Sequence, residues 1–392
     1  MPLPGIWQQR PMAPPRFPNS HSNWYNFFMK IGIIGLPNSG KTTVFNALTR
    51  GEAPTEAYSS GRMEVHTAVV QVPDERVDRL AEMYHPKKVT YATVQYTDIA
   101  GLARGMGEAG GLSGALLNEV SQNDALLHVV RAFTDPNVLH PEGEVDPARD
   151  IQIMETELLL NDMTIITNRL ERIASRLGKG GDPKERQALA EEKALLERLL
   201  AALEEEIPVR EVALSPEEEK FLRGFALLSQ KPLLILLNID DDVDESIADE
   251  YRDIIQGEHV AVAALRGKLE AELAQMDPEE AQEFLAEFDI PEPGLSRIIR
   301  LSYKLLRVQS FFTVGEDEVR AWTIPVGATA VEAAATIHTD LARGFIRAEV
   351  VSYEDLMDAG SMAEARKRGT LRLEGKEYVV QDGDIVHIRF AL

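Results

Sequence analysis

The chain contains no cysteine among its 392 residues. Disulfides, thiolate metal sites and cysteine nucleophiles are excluded, and a cytoplasmic setting is expected. There is no apolar run long enough to span a bilayer as a helix and no secretory signal pattern, so no membrane partner is expected. Positive charge is scarce: 41 Lys and Arg stand against 64 Asp and Glu, a net charge of −23. That balance excludes a broad field attracting nucleic acid, and sequence-specific DNA is not an expected partner. A local basic patch remains open. The 44% hydrophobic and 27% charged content is that of a globular protein, long enough for two or three domains.

Residues 1–28 lack acidic residues, are rich in Pro and Asn, and show no periodicity. They are expected to be a disordered extension, with Met29 a second candidate start. From there "KIGIIG", "EVHTAVVQV", "ATVQYTDIA", "DALLHVVRAF", "KPLLILLNID" and "HVAVAAL" read as strands, with helical stretches between most of them. The pattern predicts an α/β fold with a doubly wound sheet over residues 29–308. From about Asp150 to Ser229 the alternation stops and only helical spacing remains, so two antiparallel helices, a coiled-coil arm, are expected as an insert. From about Gln309 to Leu392 short strands and one short helix predict a small α+β unit.

Three strings carry chemistry. "GLPNSGKT" fits G-x-x-x-x-G-K-[ST] with Gly35, Gly40, Lys41 and Thr42 in place, between a strand and a helix. Backbone N–H groups from Asn38 and Ser39 through Thr43 would cradle phosphates at the helix N-terminus. Lys41 would reach the β- and γ-phosphates and Thr42 would hold Mg²⁺. "DIAGL" places Asp98 at a strand end, where it would hold Mg²⁺ through water, and Gly101, whose N–H would meet the γ-phosphate. Leu102 follows where switch GTPases carry a water-positioning Gln, and its side chain cannot hydrogen-bond a water. "LLNIDDD" places Asn238, Ile239 and Asp241 where guanine-specific proteins have N-K-x-D. A carboxylate at Asp241 suits guanine better than adenine, so ATP and GTP both stay open as ligands. Taken alone, His128 in "DALLHVVRAF" reads as a packed strand histidine.

Together these strings resemble the Obg-like ATPase, or YchF, family, from Met29 to Leu392. "EPGLSRIIRLSYKLL", "EVRAWTIPVGATA" and "LRLEGKEYVVQDGDIVHIRF" extend the likeness into the C-terminal unit, which is similar to that family's TGS domain. The resemblance implies a ribosome-associated P-loop NTPase hydrolysing ATP and often GTP without the usual Gln. It implies that Ile239 contacts the base and that His128 takes part in catalysis. Asp241 departs from the family's usual Glu. Arg62 stands where the family's first switch has a Mg²⁺-ligating Thr, which puts ordinary turnover in question. The arm and the C-terminal unit are the expected partner surface, with "RIIRLSYKLLR" and "LARGFIR" supplying local positive charge.

Overall fold

The structure is a computed structural model that describes residues 29–49, 56–59, 64–99, 114–179, 182–255 and 257–391. The strand Met29–Ile34 (β1), apolar except for the half-buried Lys30, lies at the centre of a seven-stranded sheet and is buried on both faces. With β2 (Glu56–Ser59), β3 (Glu64–Gln71), β4 (Lys88–Thr90), β5 (Thr93–Ile99), β6 (Ala125–Ala132), β7 (Leu233–Ile239) and β8 (Val260–Leu265) numbered along the chain, the sheet order is β2-β3-β5-β1-β6-β7-β8. The pairs from β5 to β8 are parallel, and β3 runs antiparallel to both β2 and β5.

The period-2 alternation of the strands splits the core in two. With α1 (Lys41–Thr49), α2 (Glu75–Tyr84) and α3 (Gly114–Ser121) numbered along the chain, Ile31 and Ile33 point to the face covered by α1 and the helix Gly294–Leu305. Ile34, Ile235 and Leu237 point to the face covered by the foot of α4 (Pro147–Gly178), through Ile151, Met154 and Leu158. Beyond that foot α4 turns a different stripe, Leu159, Ile166 and Ile173, toward α5 (Pro183–Glu204). Their seven-residue spacing is a heptad seam, and Leu196, Leu199 and Leu203 answer it. The ion pairs Arg169–Glu192 and Arg176–Glu185 set the two helices antiparallel. Asp146 and Pro147 start α4: the Asp side chain accepts from Arg149 N, and Pro occupies the first turn, where no N–H is needed. The expected all-helical stretch begins at Pro147, and after Glu204 it breaks into short turns and the helix Pro216–Leu222.

The remaining strands are β9 (Val308–Thr313), β10 (Glu318–Pro325), β11 (Phe345–Val351), β12 (Arg372–Glu374) and β13 (Ile385–Phe390). They form a second sheet of order β12-β11-β13-β9-β10-β4. Its last strand, β4, lies in the chain between β3 and β5 of the first sheet and pairs parallel with β10. "KEYVV" makes only an isolated bridge at Val379 with Thr329, because Val380 N and Tyr378 O bond the 328–330 segment instead of a strand. Among the described residues, no helix is long and apolar enough to cross a membrane.

Candidate nucleotide site

The loop between β1 and α1 closes at the C-terminal edge of the parallel strands, where open α/β sheets place ligands. Gly35 (φ +150°) and Gly40 (φ +94°) adopt backbone conformations that disfavour a side chain, and both are crowded. A Cβ on Gly35 would sit 2.3 Å from Val129 O, and one on Gly40 would sit 2.2 Å from Asn238 Nδ2. Asn38 is also left-handed, at φ +63°, and its Nδ2 donates to Leu139 O at 3.0 Å. Lys41 Nζ donates to Gly35 O and Leu36 O, both at 2.9 Å. Burial pulls the Lys41 ammonium pKa down, and the Asp98 carboxylate pulls it up.

Thr42 Oγ1 donates to Asp98 Oδ2 at 3.0 Å, which brings the two expected Mg²⁺ ligands together across 56 residues of sequence. Asp98 Oδ1 is buried and has no hydrogen-bond partner among the described residues. A hydroxyl beside a carboxylate with one unsatisfied oxygen is the hard-oxygen chemistry that Mg²⁺ takes, with waters and phosphates completing its shell. Among the described residues, no group of three His, Asp or Glu is placed to hold a metal by itself.

Asn238, at the end of β7, braces the loop from below. Its Nδ2 donates to Ser39 O at 3.1 Å and its Oδ1 accepts from Gly267 N at 3.2 Å. Asp241 is exposed on the following turn. Ile239 corrects the expectation of a base contact: it is 2% exposed and packs into the apolar cluster under α4. The strand alternation explains this, since Ile239 shares the face of Ile235 and Leu237. Thr43 is exposed on the first turn of α1, and Ser39 Oγ is buried with no hydrogen-bond partner among the described residues. Gly101, Leu102, Arg62 and the 1–28 extension lie outside the described residues.

His128 is 2% exposed on β6, in register with Ile34 and Ile235. It lines a narrow cleft with Leu36, Pro37 and Ser39 of the phosphate loop. Its Nε2 has no hydrogen-bond partner among the described residues. Burial, and secondarily the Lys41 charge, lower its pKa to about 3, so the ring is neutral at physiological pH.

Three sets of contacts beside the site were missed in the sequence. Arg131, buried on β6, bonds the carbonyls of Phe133, Asp135 and Val138. Thr134 N and Oγ1 both donate to Asp240 Oδ2, at 3.0 and 3.1 Å. Near the far end of this loop, His140 Nδ1 accepts from Glu142 N, so Nε2 carries the proton that it donates to Asp150 at 2.8 Å. A charged residue inside the apolar run "LLHVVRA" was the one available signal, since it pointed to Arg131.

Residues 30–169 match a family model described as a 50S ribosome-binding GTPase. Residues 308–391 match the C-terminal model of the YchF GTPases, described as a protein of unknown function. The ribosome-binding ATPase YchF of Bacillus subtilis (strain 168) is 43% identical over 365 residues, covering 92% of this chain and 98% of that protein. The Obg-like ATPase 1 of Caenorhabditis elegans is 37% identical over 368 residues and is covered to 92%, as is this chain. The solved structure of the Schizosaccharomyces pombe YchF GTPase superposes with a TM-score of 0.79 at 33% identity, covering 92% of this chain and 97% of that one.

Proposed function

The chain belongs to the YchF, or Obg-like ATPase, family, and from that premise we propose that it binds ATP or GTP with Mg²⁺, hydrolyses it slowly, and acts as a nucleotide-dependent switch on the ribosome. The observation that carries the reading is the convergence of Lys41, Thr42, Asp98 and Asn238 on one loop. Lys41 would leave the carbonyls of Gly35 and Leu36 to meet the β- and γ-phosphates, exchanging neutral acceptors for charged ones. Thr42 and Asp98 would hold Mg²⁺, which supplies charge neutralisation across the phosphates when bound. Asn238 keeps the loop from collapsing by fixing Ser39 O. The same reading assigns a nucleotide-binding unit to 29–308, a helical insert to 150–229 and a TGS unit to 309–392. The two sheets and the position of the helical pair support that division, with β4 the strand that crosses it.

His128 would order the attacking water in place of the absent Gln. A ring held neutral donates from one nitrogen and accepts with the other, as ordering a water requires. A group with a pKa near 3 is a weak base at pH 7, so its contribution is orientation rather than proton abstraction. A second reading, a nucleotide sensor with little turnover, draws on Arg62 and Leu102. Single-turnover hydrolysis of ATP and GTP separates the two.

The binding claim is tested at Lys41. Lys41→Ala removes a charge-assisted contact and is expected to weaken ATP or GTP by at least about tenfold, or 1.4 kcal/mol. Unchanged affinity in isothermal titration would remove the loop as the phosphate site.

A further inference from the structure

We propose that Arg131 is a positioning residue for base recognition, and that it acts by setting the shape of the 133–139 loop. The inference rests on the nucleotide reading above. Arg131 is 3% exposed and lies in register with Asn238 on the neighbouring strand. Its Nε donates to Phe133 O at 3.2 Å, one terminal nitrogen to Val138 O at 2.9 Å and the other to Asp135 O at 3.3 Å. The guanidinium also lies 4.6 Å from the Phe133 ring centroid. Its hydrogen bonds thus go to main-chain carbonyls. A charge buried this deeply is unfavourable unless its donors are satisfied, and here the loop backbone satisfies them.

The loop so held reaches both halves of the site. Thr134 fixes Asp240, which stands between Ile239 and Asp241 in the turn expected to read the base. Leu139 O accepts from Asn38 of the phosphate loop, and the Leu139 side chain is 83% exposed beside it. One side chain therefore links the phosphate loop to the base turn through a segment that touches each. A planar fork with five donors can span three separated carbonyls, and a lysine ammonium cannot. Arg131→Lys accordingly keeps the charge and loses the loop geometry, which separates positioning from simple attraction of phosphate.

The test is isothermal titration of the full chain with ATP, GTP and inorganic tripolyphosphate, all with Mg²⁺. Arg131→Lys is expected to weaken ATP and GTP by about tenfold. Tripolyphosphate has no base to place, and the phosphate-loop backbone is held separately by Asn238 at Ser39 O, so it is expected to stay within about twofold. Asp240→Ala, at a partly accessible turn where folding is not at stake, is expected to reproduce the effect and decides the matter if Arg131→Lys does not fold. The double variant is expected to lose no more than the larger single loss, because both act through one loop. Wild-type binding with variants that match it overturns the inference alone, as does equal weakening of tripolyphosphate. A wild type that binds no nucleotide overturns the functional reading, and the inference with it.

Discussion

His128 occupies a strand position between two isoleucines, where a polar ring pays a desolvation cost unless it stays neutral. The folded pKa of about 3 lies below the 6.5 expected when unfolded. Between those values the unfolded chain binds a proton that the native chain does not. Native stability therefore falls as pH drops from about 6.5 toward about 3. Asp162 works in the opposite sense: burial raises its pKa from 3.8 to about 6, so its contribution is full below 3.8 and is lost as pH rises through 6. Comparing urea midpoints of wild type and His128→Ala between pH 7 and pH 5 isolates the His128 part, and the variant is expected to show the smaller acid loss. Equal slopes would contradict the buried neutral ring. If the ring also orders water, His128→Ala should slow single-turnover hydrolysis by about tenfold with little change in nucleotide affinity. A matching rate would leave His128 a core residue only.

The α4–α5 pair shows how one helix serves two cores. Its foot closes the sheet, and its outer part depends on α5 for burial. Asp162, between these regions, accepts from Leu228 N and Ser229 N at 2.8 and 2.7 Å and so ties the returning chain to α4 just before β7. Ile166 is fully buried in the seam. Ile166→Ala is expected to destabilise the helical pair by about 2–5 kcal/mol through lost burial and a residual cavity. Hydrogen exchange should quicken in 159–203 before it changes in β1 or β6. Simultaneous loosening of both regions would mean that the pair and the sheet unfold as one unit. The solvent-facing pair Arg176–Glu185 is a contrasting case, where little is at stake.

Across the whole molecule, the C-terminal unit is not a detachable appendage. β4 belongs to its sheet, three residues before the strand that ends near Asp98. Phe312, Val319 and Ile385 share one apolar cluster with Ile31, Val94 and Leu236. Arg76, on the helix Glu75–Tyr84, pairs with Asp382 at 2.8 Å and lies over Phe312. Deleting 309–392 is therefore expected to lower the thermal midpoint of the remaining chain, measured by circular dichroism, rather than leave it intact. An unchanged midpoint would show that the shared cluster adds nothing. Partner binding is better probed by charge reversal. In "RIIRLSYKLLR", Arg297 pairs with Glu245 and Arg300 with Glu292, so much of its positive charge is engaged within the chain. In "LARGFIR", Arg343 and Arg347 are exposed. Arg343→Glu with Arg347→Glu is expected to weaken ribosome co-sedimentation several-fold at unchanged nucleotide affinity, by the loss of about two phosphate-facing charges. Equal pelleting would move the contact surface elsewhere.

The phosphate loop was legible in the sequence because its constraints are local. Two glycines, a lysine and a threonine at fixed spacing define a backbone path whatever surrounds them. The central strands and the long helices were legible for the same reason, since periods of 2 and 3.6 are written within each segment. Three features took their roles from tertiary contacts. β4 is three residues long, too short to show a period, and becomes a strand only because β10 offers it a partner. Ile239 occupies the base-contact position of the motif, yet the sheet's alternation turns it into the core. Arg131 looked like one charge out of place in an apolar strand until its three carbonyl acceptors came together around it. The backbone path of the phosphate loop is written in residue spacing alone. How the loop and turn beside it are held, and how the second sheet joins the first, follow from contacts between strands and loops whose adjacency no local pattern encodes.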